Sequence, residues 1–82
     1  MEVINFMKSA ISLINLEIDS TAKIEHINCS DNIKRRLLDL GIVPETTITP
    51  VFASTCGDPI AYEVRNTILA IRNQDAKNIF VH

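Results

Sequence analysis

The chain has 82 residues, 8 Lys and Arg against 10 Asp and Glu, a net charge of −2 and an isoelectric point near 5.5. A single domain of that length buries only about 60–65% of the surface its unfolded chain exposes, which leaves little room for both a core and a deep, water-excluding substrate pocket. The acidic balance, the absence of Trp and only four other aromatics argue against a nucleic-acid partner, and the uncharged runs, residues 9–16 and the longer 46–57, fall short of the roughly 18 residues a membrane-spanning helix needs, so no direct membrane insertion is expected.

Val3, Met7, Ala10, Ile11 and Ile14 lie at helical spacing, which predicts a short amphipathic helix in an N-terminal extension, residues 1–11, ahead of a domain over residues 12–82. Such a stripe either packs on the domain or docks on a partner or membrane. Asp19-Ser20 is a turn pair, and residues 21–27 alternate as a half-buried strand, with Ala22 and Ile24 on one side and Thr21, Lys23 and Glu25 on the other. Ser30 or Asp31 can cap a helix that starts near Asp31. Ile33, Leu37 and Leu40 recur at i, i+4 and i+7 as its buried stripe, widened by Leu38, while Lys34, Arg35, Arg36 and Asp39 fall elsewhere on the cylinder. Gly41 suits the left-handed residue that ends a helix, Ile42 is placed to cover the last turn, and Pro44 forbids continuation.

Residues 46–52 are strand-like, but Pro50 cannot donate to a ladder, so this strand lies at an edge or carries a bulge. A loop over residues 53–59 leads to Ile60, Tyr62 and Val64, which alternate with Ala61, Glu63 and Arg65 as the clearest strand. Asn66-Thr67 has the length of a hairpin turn, with a return strand over residues 68–72, a turn or single helical turn over 73–76 and a last short strand over 78–81. About five short strands with one helix inserted after the first are too little helix for a parallel sheet. The expected fold class is therefore mainly β with one helix, a small, partly open antiparallel barrel.

The chemistry is sparse. The only glycines, Gly41 and Gly57, belong to no phosphate-binding loop, and Cys29 or Cys56 with His26 or His82 form no recognisable nucleophile and base, so no enzyme and no cofactor are expected. Two cysteines are too few for a disulfide scaffold, and the apolar stretch 3–7, short and interrupted by Asn5, is no signal peptide; a reduced, cytoplasmic setting is expected. The sharpest chemical alternative is metal: His26 and Cys29 sit at chelating spacing, and Cys56 and His82 could complete a tetrahedron for Zn or Fe, or bridge two chains. Against it, Cys56 and His82 are 26 residues apart and His82 ends the sequence given, and the preferred reading of the same residues is small buried or loop cysteines and surface histidines. Lys34-Arg35-Arg36 is either the solvated back of an amphipathic helix or, with Asp39, the charged rim of a docking surface. Gly57-Asp58-Pro59 is first of all turn chemistry.

These motifs, in this order, resemble the FeoA family. The likeness rests on Leu13-x-x-Leu16, Ala22-x-Ile24, the run Arg36-Leu37-Leu38-Asp39-Leu40-Gly41-Ile42-x-Pro44, Asp58-Pro59-Ile60, Leu69-Ala70-Ile71-Arg72, Ala76 and Ile79-x-Val81. The resemblance implies an SH3-like barrel and an accessory or regulatory role beside a FeoB-type ferrous iron transporter, a membrane permease with a cytoplasmic GTPase domain, on which the chain would dock at the inner face of the membrane. On that implication Lys34, Arg35, Arg36, Asp39, Asp58 and Pro59 are the partner-binding candidates. The same fold resembles the C-terminal domain of DtxR-type repressors, which leaves a free-standing relative of that domain as an alternative, and a homo-oligomer stays open. Asp19, Glu45 and Asn66 stand where the family pattern often has glycine; Asp and Asn tolerate positive φ, whereas Glu45 predicts a different turn after the helix.

Overall fold

The computed structural model describes residues 10–82. The elements are β1 (Ile11–Ser12), a single 3-10 turn (Leu13–Asn15), β2 (Ala22–Ile27), α1 (Asp31–Asp39), β3 (Thr47–Ala53), β4 (Ile60–Val64), β5 (Thr67–Ile71), α2 (Asn73–Ala76) and β6 (Ile79–Val81). One antiparallel six-stranded sheet runs in the order β1-β6-β2-β3-β4-β5, curled over a core that includes Leu13, Ile24, Leu37, Ile42, Ile48, Tyr62 and Val81. This is the expected mainly-β, SH3-like architecture with one main helix, and β1 is the strand added to the expected set. Of the helical stripe expected at the N-terminus, Val3 and Met7 lie outside the described residues. Within them it does not continue as an α-helix, because Ile11 pairs with Val81 in β1 and Ile14 belongs to the 3-10 turn.

Helix α1 forms where its ends are satisfied. Ser30 caps it, its hydroxyl accepting from the Ile33 amide at 3.5 Å, and Asp31 and Arg36 sit at the ends where the helix dipole favours their charges. At the other end Gly41 takes φ 88°, its amide donates to the Leu38 carbonyl at 2.9 Å, and the Ile42 amide donates to that of Leu37, also at 2.9 Å. This double closure brings Ile42 over Leu37, and both are buried. Ile42 thereby takes the place expected for Leu40, which is 54% exposed; Leu38 is 58% exposed, so neither belongs to the buried stripe.

Pro50 sits inside the sheet, in β3 between β2 and β4, and the register with β4 shifts between Pro50 and Phe52. The bulge, not an edge position, accommodates the missing donor. The Pro50 carbonyl accepts from the amide of Asp19 at 2.7 Å. A second shift, between Ile24 and His26 in the β2–β6 pairing, breaks the alternation of β2, leaving Glu25 and His26 both exposed. The β4–β5 hairpin turns on Arg65-Asn66, with φ 54° and 67°, one residue earlier than expected. Asp19 and Glu45 also have positive φ, at 71° and 73°, so Glu45 keeps a left-handed turn after all, its amide held by the Ile24 carbonyl at 2.7 Å.

Candidate functional site

Helix α1 stands between two shallow depressions, and the candidate residues divide between them. The first, about 590 Å³, is lined by Lys34, Arg35, Leu38 and Asp39 of the helix together with Ile27, Asp31, Ile42, Val43 and Pro44. The second, about 490 Å³, lies between the opposite flank of the helix, with Ile33, Arg36, Leu37 and Leu40, and the end of β5 and start of α2, with Pro59, Ala70, Ile71, Arg72, Gln74 and Asp75. Lys34, Arg35 and Asp39 thus share one side, and Arg36 and Pro59 the other. Among the described residues Lys34, Arg35 and Arg36 take part in no salt bridge. Leu38 and Leu40, assigned to the core by periodicity, add exposed apolar surface to each flank.

Asp58 belongs to a brace between two loops. Its Oδ1 accepts from the Asn73 amide at 2.9 Å, and the Asn73 side-chain Nδ2 donates to the Gly57 carbonyl at 2.9 Å. Arg72, the residue before α2, offers no side-chain cap, so Asp58 supplies from another loop the acceptor that the first turn of α2 needs. Arg65 similarly ties the hairpin tip to the helix end, its Nε donating to the Gly41 carbonyl at 3.3 Å.

The four candidate metal ligands do not converge. His26 stacks on Phe80 with ring centroids 4.8 Å apart. The Cys29 thiol contacts the Asp75 carbonyl at 3.8 Å, and burial first, then the charge of Asp75, push its pKa up against the opposing pull of Lys34, which favours the protonated form over the thiolate a metal requires. Cys56 is exposed in the β3–β4 loop, and His82 Nε2 lies 3.4 Å from Glu45 and 3.8 Å from Glu25. Among the described residues no three His, Cys, Asp or Glu side chains gather in a metal-holding group, and no described helix is long and apolar enough to cross a membrane.

Fold and surface together define a small SH3-like domain whose helix carries exposed basic and apolar side chains on two flanks. The chain matches the FeoA domain over residues 11–82 and belongs to the FeoA family. A FeoA-like protein from Clostridium acetobutylicum shares 36% identity over 93% of this chain and 88% of its own, with a TM-score of 0.82. A zinc-complexed FeoA from Stenotrophomonas maltophilia, described as a prokaryotic SH3 domain protein, shares 30% identity over 89% of this chain and 91% of its own, with a TM-score of 0.77. T. acidophilum IdeR, at 26% identity and a TM-score of 0.77, is covered by the likeness over only 33% of its chain, against 88% of this one. None of the curated proteins matches.

Proposed function

We propose that this chain is a non-enzymatic accessory protein of ferrous iron uptake that docks on the cytoplasmic, GTPase-containing part of a FeoB-type transporter through the flanks of α1. The observation that carries this reading is the FeoA domain match over residues 11–82. It is supported by the exposed Lys34 and Arg35 beside Leu38 on one flank and the exposed Arg36 beside Leu40 on the other, apolar side chains rimmed by charge that can orient a partner. Such docking would hold the chain at the inner face of the membrane. The rival reading, a zinc or iron carrier, needs His26, Cys29, Cys56 and His82 in one place, and their separate partners speak against it.

Co-purification with the isolated cytoplasmic domain of the transporter from the same genome tests the proposal. Wild-type chain is expected to be retained, and the Lys34→Glu, Arg35→Glu, Arg36→Glu triple variant to bind at least 10-fold more weakly. Undiminished binding by the triple variant would remove the helix flank as the contact, and no retention of wild type would remove the docking itself.

A further inference from the structure

We infer that the outer edge of β5, with the depression beside it, takes up an extended segment of the partner as an added strand, the segment being uncharged along about five residues and flanked by carboxylates. This rests on the docking reading above and names how the contact is made. β5 pairs with β4 on one side, and among the described residues no strand lies on the other. The two-residue turn at Arg65-Asn66 makes Val64 and Thr67 the hydrogen-bonded pair that closes the hairpin. Alternation along the register then directs the backbone groups of Thr67, Leu69 and Ile71 to β4, and those of Ile68 and Ala70 outward.

Edges of this kind are ordinarily blunted by shortness, charge, proline or a bulge. Thr67-Ile68-Leu69-Ala70-Ile71 has none of these, its pairing with β4 is regular throughout, and Ile68 is 54% exposed. Beside Ala70 and Ile71 the depression has an apolar floor from Ile33, Leu37 and Leu40, where a side chain of an added strand can be buried.

Charge decides the occupant. Arg65 stands just before β5 and Arg72 just after it, with Arg36 across the depression, against the carboxylate of Asp75. In a second copy paired antiparallel about a two-fold axis, Arg65 of each chain would fall at or next to Arg72 of the other, placing like charges together at both ends. A partner segment with Asp or Glu at its ends meets the same arginines with opposite charge.

Amide hydrogen exchange, followed by NMR on the labelled full chain with and without the isolated cytoplasmic domain of the transporter, tests this directly. Exchange at Ile68 and Ala70 is expected to slow at least 10-fold on binding. Ala70→Pro deletes only an outward N–H and leaves the β4 ladder its bonds; it and Ile68→Lys are each expected to weaken binding at least 10-fold. Where Ala70→Pro fails to give a dispersed amide spectrum, exchange on the wild-type chain decides alone. Binding with no change at Ile68 and Ala70, or undiminished in Ile68→Lys, overturns strand addition and leaves docking intact. Protection that grows with the concentration of the chain alone identifies a second copy as the occupant and also overturns it. Absence of any binding by wild type takes away the docking reading, and strand addition with it.

Discussion

The two ends of the sheet differ in kind. At one end β1 is two residues long, held by pairing with β6, by the buried Leu13 that follows it, and by Ser12, whose hydroxyl donates to the Lys77 carbonyl at 2.8 Å. At the other, β5 is a regular five-residue strand with no charge of its own. The first end is closed by long-range contacts and offers little backbone to another chain. The second is built by a local hairpin, and among the described residues nothing pairs with its outer backbone groups, so a guarded edge stands opposite an unguarded one.

That contrast can be broken most severely at Leu13. Leu13→Ala removes a fully buried side chain under β1 and is expected to cost about 2–5 kcal/mol in urea unfolding, with amide protection lost first in β1 and β6. Between the ends lies Tyr62, the chain's single tyrosine, fully buried with its hydroxyl unpartnered, and burial pushes its pKa up from 10.0 to about 12. The folded state holds that proton more tightly than the unfolded chain, so this stability is complete below pH 10 and is lost as pH rises through 12. The loss amounts to about 2–3 kcal/mol, read by unfolding at stepped pH alongside phenolate absorbance.

Gly41→Ala strains the joint between α1 and the β5 hairpin, since φ there is 88° and the new Cβ would lie 3.2 Å from Arg65 Cδ. A cost of about 1–2 kcal/mol is expected, because the arginine can shift but the left-handed backbone cannot be relieved. Asp58→Ala, which deletes the borrowed cap of α2, should cost about 1 kcal/mol and lower the melting temperature by roughly 4–8 °C. Ile68→Lys is expected to change stability by less than about 0.5 kcal/mol, which marks the β5 edge as a surface for binding and not a source of stability.

Much of this was legible wherever cause and effect are local. Ser30, Gly41 and Ile42 announce both ends of α1 because capping is settled within a few residues, and the alternation of β4 announces the hairpin for the same reason. What escaped depends on residues far apart in sequence. Ile11 and Ser12 become a strand only because β6 lies beside them, and Leu40 is exposed only because Ile42 folds back beneath the last turn. Among the site candidates, the basic helix residues are exposed as their position on the cylinder implied, but their division between two flanks needed β5 and α2 in place. Asp58 lies in the loop just after the turn closed by Ser54 and Gly57, and its bond to the Asn73 amide, 15 residues on, left no mark in the local pattern.

The position of β6 bears on how the molecule assembles. Among the described strands it comes latest in the chain, yet it lies between β1 and β2, and the backbone of His82 just beyond it exchanges both hydrogen bonds with Lys23, each at 2.9 Å. During synthesis β2, β3, β4 and β5 can pair in turn as they emerge, whereas β1 must wait for β6, the strand that belongs between it and β2. Pairing over such separations carries a larger closure entropy than a hairpin, so this end of the sheet is expected to close last, and a nascent chain stalled before Ile79 would leave β1 unpaired and one edge of β2 open.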